Sequence, residues 1–317
     1  MNASGGSGED HLGLDASESV RSGFVALVGR PNAGKSTLVN AVMGTKVAIT
    51  SDTPQTTRHR LRAIVDRDDA QIVLVDTPGL HKPHDALGEE LNRSSLLALS
   101  DVDVACLVVD ASAAVGTGDA WVAAHVAKAG AASRVLVLTK ADLVSTERLH
   151  AQLAKARTLA EFDDEVVVSA VNGFNVDGFI EVVARLLPPG PRYFPRDMAT
   201  DQPIEVMMAE FVREKVLLAT REEVPHAVGV VIDDVEWPDE GGDLTSIAAT
   251  IYVERDSQKG IIVGKGGEMI KRVGTEARAD LERLLGTRVF LDLVVKVKKH
   301  WRRDASQIRR FGYGEGL

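Results

Sequence analysis

The sequence predicts an α/β protein in which a doubly wound, mostly parallel sheet is followed by a smaller α+β domain. Three observations lead to this prediction. Strand-like apolar runs alternate with helix-like stretches over the first two thirds of the chain, a pattern typical of a parallel sheet with helices on both faces. The proline-rich segment 186–195 then interrupts the alternation, because proline cannot continue a helix. After it, the order of elements and the balance of charge both change.

The composition is that of a soluble globular protein. With 317 residues, 44% of them apolar and 26% charged, the chain is long enough for two domains. No apolar run approaches the ~18 residues of a membrane helix, and the N-terminus lacks the order of a signal peptide. We therefore expect a cytoplasmic protein without a transmembrane segment. The one cysteine, Cys106, excludes an intrachain disulfide and is expected to be a buried thiol.

Charge is distributed unevenly along the chain. The net charge of −9 argues against a general nucleic-acid binder. Residues 201–256, however, hold 14 acidic and 4 basic side chains, whereas residues 257–317 hold 7 acidic and 14 basic ones. The end of the chain is therefore basic, and a nucleic-acid partner there remains open.

The first domain is expected over residues 21–187. Residues 1–20, rich in glycine and serine, are predicted to be a disordered tail, with regular structure starting near Gly23. The predicted strands are "FVALVG" (24–29), "RAIVD" (62–66), "QIVLVD" (71–76), "DVACLVVD" (103–110), "RVLVLTK" (134–140) and "EVVVSA" (165–170). The predicted helices are 86–100, 119–129 and 145–161.

The second domain is expected over residues 201–317, after a linker at 188–200 that separates two independently folded cores. Its predicted elements are a helix at 204–220, strands at 227–237 and 245–255, an apolar helical piece, a glycine loop at 264–267, a helix at 268–286 and a strand at 288–301.

The stretch from Gly29 to Ser36 reads G-x-x-x-x-G-K-S, the P-loop pattern. Backbone N–H groups of such a loop, together with the N-terminus of the next helix, form a site for phosphate. We expect Lys35 to reach the β- and γ-phosphates and the Ser36 hydroxyl to hold Mg²⁺. A plain glycine-rich turn is the alternative for this motif alone. The expected nucleotide contacts in the loop are Gly29, Arg30, Pro31, Asn32, Ala33, Gly34, Lys35, Ser36 and Thr37.

Two further segments are expected to sense the γ-phosphate. "DTPG", which comprises Asp76, Thr77, Pro78 and Gly79, closes a predicted strand. There Asp76 would hold Mg²⁺ through water and the Gly79 N–H would reach the γ-phosphate. In the polar segment "TSDTPQTTRHR" (50–60), we expect Thr57 to complete the Mg²⁺ shell, with Thr56 as second choice.

"TKAD" at 139–142 predicts which base is bound. The Asp142 carboxylate can accept hydrogen bonds from N1 and N2 of guanine, and adenine offers no such donor pair. Lys140 would cover the nucleotide with its stem, next to Thr139 in the same motif. Ser169 and Ala170 would present backbone N–H groups to the guanine carbonyl. The motifs in this order predict a GTPase that binds GTP and GDP.

The usual catalytic glutamine is missing. In Ras-like switches a glutamine after the DxxG motif orients the attacking water, but Leu80 stands there in this chain. Because an apolar side chain cannot hydrogen-bond water, we expect slow unassisted turnover. His81 and His84, beside this loop, are expected to be surface residues of the switch region.

The second domain has the element order of a KH domain of the bacterial topology (type II), in which a G-x-x-G loop between two helices clamps single-stranded nucleic acid. A simple glycine turn is the alternative for the loop alone. The expected RNA contacts here are Gly264, Lys265, Gly266, Gly267, Lys271 and Arg272.

The basic tail extends the predicted RNA surface. Its expected contacts are Lys298, Lys299, Arg302 and Arg303, which can neutralise phosphates. Trp301, Phe311 and Tyr313 can either stack on bases or pack onto the core.

The motifs "GRPNAGKSTLVNAVMG", "ITSDTPQTTRHR", "DTPGLHKP" and "VGKGG" resemble the Era family of bacterial ribosome-assembly GTPases over residues 21–317. The resemblance implies a GTPase that binds the 3′ end of 16S ribosomal RNA and acts in 30S subunit assembly, and it leaves open a peripheral association with the inner face of the cell membrane. Similarity to cation-dependent GTPases implies that Asn32 could hold K⁺ beside the phosphates. One departure is Thr139, where the family usually has asparagine. Nucleotide affinity is therefore expected to be lower, while Asp142 keeps the specificity.

Two other functions remain open from the sequence. Leu80 and Thr139 are compatible with an RNA-binding scaffold that binds GTP but hydrolyses it poorly. A P-loop ATPase of another class is the second alternative, and Asp142 argues against it.

Overall fold

The computed structural model describes residues 20–83, 85–222 and 224–313. The predicted disordered tail lies outside these residues, except for Val20. That residue already belongs to the first strand, where it pairs with Gly190. Within the described residues, regular structure is therefore present from Val20, three residues before the predicted start at Gly23.

The first domain contains a mostly parallel sheet, as predicted. Its strands are β1 (Val20–Gly29), β2 (Leu61–Asp66), β3 (Ala70–Asp76), β4 (Val104–Asp110), β5 (Ser133–Thr139), β6 (Asp164–Val167) and the short β7 (Pro189–Gly190). Its helices are α1 (Lys35–Met43), α2 (Ala86–Ala98), α3 (Thr117–Lys128), α4 (Thr146–Arg157) and α5 (Val176–Leu186). The sheet order is β2-β3-β1-β4-β5-β6, with β7 on β1. β2 is antiparallel to β3 and β7 to β1, whereas the other neighbours are parallel.

Apolar layers cover both faces of this sheet. One buried cluster joins the strands to α1 and α5 through residues such as Leu38 and Phe179. Another joins them to α3 and α4 through residues such as Val122 and Ala156. Cys106 in β4 is fully buried in the first cluster, as expected. Because β1, β3 and β5 are parallel, the loops that follow them meet at one edge of the sheet, where ligands bind in folds of this class.

The second domain has the predicted order of elements. It consists of α6 (Ile204–Ala219), β8 (Gly229–Glu236), β9 (Leu244–Val253), α7 (Asp256–Val263), α8 (Glu268–Leu285), β10 (Arg288–Val297) and, at the end, α9 (Ala305–Arg310). The sheet order is β10-β9-β8, with β9 parallel to β10 and antiparallel to β8. The last strand ends at Val297, four residues before the predicted end.

The predicted linker, residues 188–200, runs along the first sheet. The Pro188 carbonyl accepts a hydrogen bond from the Ser22 N–H at 3.0 Å, and the Ala199 carbonyl accepts one from the Ile64 N–H at 2.9 Å. Thr200 forms a bridge with Ala63. The segment is therefore fastened to the first domain, and the division at 188–200 stays a prediction.

The two domains share apolar packing. Ile49 of the first domain lies in the core of the second domain, with Met208 and Val212 of α6. Leu87 and Leu91 of α2 pack against a cluster of residues from the end of the chain, which are Trp301, Ile308, Phe311 and Tyr313. The expectation of two independently folded cores stays a prediction.

Candidate nucleotide site and nucleic-acid interface

The P-loop connects β1 to α1 and depends on two glycines. A Cβ atom on Gly29 would lie 2.4 Å from the Val108 carbonyl oxygen, and one on Gly79 would lie 2.5 Å from the backbone of Pro31. Only glycine allows so close an approach. The P-loop and the DTPG segment therefore pack directly against each other, and the Leu80 N–H donates to the Gly29 carbonyl at 3.0 Å.

Lys35 is buried in this loop. Its side chain is only 5% exposed, and Nζ donates to the carbonyls of Gly29 at 3.3 Å and Arg30 at 3.0 Å. Burial lowers the pKa of Lys35 to about 8, although the nearby Asp76 raises it. A buried ammonium without an ion-pair partner at hydrogen-bond distance among the described residues is suited to receive phosphate oxygens.

The three residues predicted to hold Mg²⁺ converge. Ser36 Oγ lies 2.6 Å from Asp76 Oδ2 and 2.8 Å from Thr57 Oγ1. Asp76 is fully buried, and within the described part of the chain its Oδ1 has no hydrogen-bond partner. Burial raises the pKa of Asp76, while Lys35 opposes the rise. Carboxylate and hydroxyl oxygens are ligands that suit Mg²⁺. A buried oxygen without a hydrogen-bond partner is unfavourable, and an ion bound there would supply the partner. These residues therefore fit Mg²⁺.

The structure favours Thr57 over Thr56 as the threonine that completes the Mg²⁺ shell. The Thr56 hydroxyl is occupied by Ser51 Oγ and the Thr53 carbonyl, each at 2.6 Å. Thr57, by contrast, points to Ser36.

The predicted base-reading residues adopt a modified arrangement. Asp142 is exposed, and its Oδ1 accepts a hydrogen bond from Ser169 Oγ at 2.5 Å. The Ser169 N–H donates to the Phe174 carbonyl at 3.0 Å, so it is already used and not available to guanine as predicted. Ser169 therefore acts on Asp142 through its hydroxyl. Ala170 follows it in the chain and is half-buried.

Thr139, the last residue of β5, ties this strand to the P-loop. It is only 1% exposed, and its hydroxyl lies 2.6 Å from the Ala33 carbonyl and 3.2 Å from the Val109 carbonyl. The residue that departs from the family pattern thus holds the phosphate loop against β5.

The remaining residues predicted to contact the nucleotide either line one cleft or support the loops around it. The cleft, about 110 Å³ in volume, is lined by P-loop residues, by the segment 50–60, called the switch segment below, and by Gly79 and Lys140. Arg30 pairs with Asp119 at 3.3 Å. The Thr77 hydroxyl donates to the Leu27 carbonyl at 2.8 Å, and the Pro78 carbonyl accepts from Ser95 at 2.8 Å. Arg30, Thr77 and Pro78 therefore brace the loops. A larger cavity of about 410 Å³ contains none of the predicted nucleotide residues.

Gln55 and His81 form a contact that sequence reasoning missed. Leu80 is 1% exposed and packs in the core, so it cannot reach the cleft. Next to it, His81 Nδ1 lies 3.1 Å from the Gly79 carbonyl, and Nε2 lies 2.9 Å from Gln55 Nε2. His81, expected at the surface, is partly buried. His84 lies outside the described residues.

The glycine loop of the second domain has the predicted shape. Gly264, Gly266 and Gly267 have positive φ angles of 74°, 61° and 82°, and a Cβ on Gly264 would lie 2.7 Å from Met269 Cβ. Lys265 and Gly266 are exposed at its tip. Lys271 and Arg272 on α8 are also exposed, with Arg272 3.7 Å from Glu276. The loop thus presents backbone and positive charge outward.

Part of the basic tail has a structural role. Arg302 pairs with Glu254 at 3.0 Å and Asp85 at 3.3 Å, so its guanidinium is already used and the prediction that it contacts RNA needs correction. Lys298 Nζ lies 5.8 Å from the centre of the Tyr252 ring. Lys299 and Arg303 are exposed. Trp301, Phe311 and Tyr313 are buried, so they pack onto the core and do not offer faces to bases.

The described residues form no helix that is both long and apolar enough to cross a membrane. Among the same residues, no three His, Cys, Asp or Glu side chains are grouped to hold a metal ion. The Mg²⁺-compatible set instead combines one carboxylate with two hydroxyls.

Comparison with known proteins places this geometry in a family. Residues 24–140 match the family described as 50S ribosome-binding GTPase, and residues 223–302 match the KH domain family. GTPase Era of Mycobacterium avium (strain 104) is 53% identical over 295 residues, which cover 92% of this chain and 99% of that protein. The chain belongs to the Era family of GTPases. GTPase Era of Mycobacterium tuberculosis (strain ATCC 25177 / H37Ra) is 52% identical over 295 residues.

Solved structures of Era extend the similarity to the whole fold. One is an Aquifex aeolicus Era variant bound to GDP and AlF4⁻, and another is Era in complex with MgGDPNP and nucleotides 1506–1542 of 16S ribosomal RNA. Each is 35% identical, has a TM-score of 0.89, and covers 93% of this chain and 100% of its own. The predicted fold class, a P-loop GTPase sheet followed by a KH domain, is confirmed.

Proposed function

We propose that this protein is a GTP-hydrolysing switch that binds small-subunit ribosomal RNA through its KH domain and acts in maturation of the 30S subunit. The observation that carries the proposal is the convergence of Ser36, Thr57 and Asp76 beside a buried Lys35. In an Era-family chain, this arrangement supports a switch that is sensitive to the γ-phosphate.

Each residue of the proposed nucleotide site then has a distinct role. Lys35 binds the β- and γ-phosphate oxygens, and the Gly79 N–H binds the γ-phosphate. Ser36, Thr57 and Asp76 would hold Mg²⁺, with Asp76 acting through water. When bound, Mg²⁺ supplies positive charge that stabilises the developing negative charge on the phosphates. Asp142, held by Ser169, accepts hydrogen bonds from guanine.

We also propose that Asn32 helps to hold K⁺ beside the phosphates. Its side-chain nitrogen lies 2.5 Å from the Asp52 carbonyl, so an amide and a backbone carbonyl of the switch segment already meet at the P-loop. Both groups offer oxygens, and the amide can turn to present its own. A cation there would supply charge where other switches use an arginine.

The K⁺ proposal has a direct test. Hydrolysis should be faster in K⁺ than in Na⁺ at equal ionic strength, and Asn32→Ala should remove the difference. Equal rates in both salts for the unchanged protein would refute it.

The RNA ligand is proposed from the family. Because a solved Era structure contains nucleotides 1506–1542 of 16S ribosomal RNA, we propose that the KH domain binds the 3′ end of this RNA within the 30S subunit. The groups available for it are Gly264, Lys265, Gly266, Gly267, Lys271, Arg272, Lys299 and Arg303. The same proposal puts the protein in the cytoplasm, and a peripheral association with the inner face of the membrane stays a prediction.

Multiple-turnover phosphate release tests the proposed function. The protein should hydrolyse GTP but not ATP, and Lys35→Ala should abolish release. A protein that binds GTP but releases no phosphate, with or without the 3′ end of 16S RNA, would instead be a binding scaffold. Crosslinking and sequencing of bound RNA from cells tests the partner.

A further inference from the structure

Hydrolysis requires a group that orients the attacking water, and Leu80 cannot supply it. Its side chain is 1% exposed and packs in the core. The inference that follows rests on the proposed GTP hydrolysis, and it assigns the missing role to two residues that were not among the predicted nucleotide contacts.

We propose that Gln55 orients the attacking water and that His81 positions Gln55. Gln55 lines the same cleft as Lys35, Thr57 and Gly79, which are the residues expected around the γ-phosphate. His81 follows Gly79 by two positions, and its Nε2 contacts Gln55 Nε2 at 2.9 Å. Gln55 therefore lies in the cleft where a water would approach the phosphate, and His81 contacts it there.

The hydrogen bonds of the pair fix the direction in which Gln55 faces. A carbonyl can only accept, so His81 Nδ1 must carry a proton to bond the Gly79 carbonyl at 3.1 Å. In the neutral ring, Nε2 is then an acceptor. Gln55 Nε2, at 2.9 Å, must donate to it. The Gln55 carbonyl oxygen therefore points away from His81 and is available to accept a hydrogen bond from water.

Both members of the pair are held in place. The Asn92 side chain, 7% exposed, donates to the His81 carbonyl at 2.6 Å. Gln55 has a φ angle of 65°, a left-handed conformation that is unfavourable for residues other than glycine. Such conformations persist when the surroundings impose them, and they cluster at functional sites.

The proposed step is ordinary hydrolysis. The water oxygen forms a bond to the γ-phosphorus, and the bond from the γ-phosphorus to the bridging oxygen breaks. GDP leaves with that electron pair, and the proton of the water passes to the phosphate product. Gln55 accepts a hydrogen bond throughout and takes no proton.

The test measures kcat and nucleotide affinity separately in the full-length protein. Gln55→Ala and His81→Phe should lower kcat about 100-fold, the effect of misplacing a reactive group, while GDP affinity stays unchanged. His81→Gln keeps an acceptor for the Gln55 amide and should recover much of the rate. His150→Phe, on the exposed surface of α4, is the matched control and should hydrolyse normally. Gln55→Asn tolerates the left-handed backbone, so it serves if the alanine variant does not fold.

Clear results would overturn the inference. It fails if Gln55→Ala and Gln55→Asn turn over at the normal rate, or if they lose nucleotide affinity with kcat unchanged. The role of His81 fails if His81→Gln is as slow as His81→Phe. Hydrolysis that is lost in Lys35→Ala but kept in the Gln55 variants rejects only this inference, whereas no hydrolysis by the unchanged protein rejects the proposed function as well.

Discussion

The ammonium group of Lys35 is buried, and burial disfavours its charged form. Its pKa in the folded protein is about 8, below the ordinary 10.5, because burial removes water from the ammonium. Between pH 8 and pH 10.5 this side chain binds more protons in the unfolded chain than in the folded protein. The free energy of unfolding therefore rises with pH across this window. At neutral pH the buried charge costs about 3 kcal/mol of folding free energy, which bound phosphates would offset.

This pKa predicts proton uptake on nucleotide binding. At pH 8 about half of the Lys35 side chains are neutral in the free protein, and phosphate should restore the charge. Calorimetry in buffers of different ionisation enthalpy should therefore detect uptake of about half a proton per GDP bound. Lys35→Met should take up markedly less. Equal uptake in both proteins would show that Lys35 is not the titrating group.

Asp142 predicts a change of base preference. Asp142→Asn should weaken GTP binding and improve binding of xanthosine triphosphate, whose base presents an acceptor in place of the guanine N2 donor. Ser169→Ala removes only the 2.5 Å hydrogen bond that holds Asp142, so it should weaken GTP by about 1 kcal/mol without any gain for xanthosine triphosphate. Competition with a fluorescent GDP analogue measures both, and unaltered GTP affinity in Asp142→Asn would remove this residue from the site.

Helices and strands could be predicted from the sequence where a pattern within a short stretch indicates them. The strands of the first sheet and the glycine loop after α7 follow from periodicity and spacing along short stretches. β1 starts at Val20, four residues before the predicted strand at 24–29, because Val20 pairs with Gly190, far along the chain. The contact between Gln55 and His81 and the pairing of Arg302 with Glu254 join residues 26 and 48 positions apart, and no local pattern indicates them.

The glycine loop of the KH domain predicts how RNA binding responds to charge. Replacing both Lys265 and Gly266 by aspartate puts two negative charges at an exposed tip, where a Cβ on Gly266 meets no atom within 4 Å. RNA affinity should fall at least tenfold, and its salt dependence should flatten because fewer counterions are released. Titration of labelled single-stranded RNA at two salt concentrations measures this.

A charge reversal on the other domain, −2 against −3 for the loop variant, separates the effect of the loop from that of the protein's overall charge. Lys155→Asp changes an exposed charge on α4 of the GTPase domain and should alter RNA affinity little. Circular dichroism checks that the loop variant is folded, and folding is expected because aspartate tolerates a positive φ such as the 61° of Gly266. Intact affinity and an unaltered salt slope would mean that RNA is held elsewhere, by exposed basic residues such as Lys299.

At the scale of the whole molecule, the switch segment is fastened to the KH domain on both sides of Thr57. On one side, the buried Arg213 of α6 donates to the Thr56 carbonyl. On the other, Arg58 is 1% exposed and donates to the Val228 carbonyl at 2.5 Å. Because Thr57 itself contacts Ser36, a shift of Thr57 on loss of the γ-phosphate would pull on both contacts.

This geometry predicts that Arg58 couples nucleotide state to RNA binding. The Arg58 guanidinium also donates to the His226 carbonyl at 3.1 Å and lies 5.7 Å from the Trp301 ring. Arg58→Met keeps much of the apolar stem but removes every one of these hydrogen bonds. If RNA affinity differs between the GTP-analogue and GDP states of the unchanged protein, the ratio should fall toward one in this variant, because a coupling free energy requires contacts that differ between states.

The control for this experiment is an arginine that reaches the second domain without flanking Thr57. Arg62 of β2 pairs with Asp201 just before α6, and its side chain is 42% exposed. Arg62→Met removes a solvent-screened ion pair, which typically contributes little, so the ratio of RNA affinities should stay near that of the unchanged protein. Fluorescence anisotropy of labelled RNA with GTP analogue and with GDP gives the ratio for each variant. If Arg58→Met keeps the full ratio while Arg62→Met loses it, coupling runs through the start of α6 and not through the residues that flank Thr57.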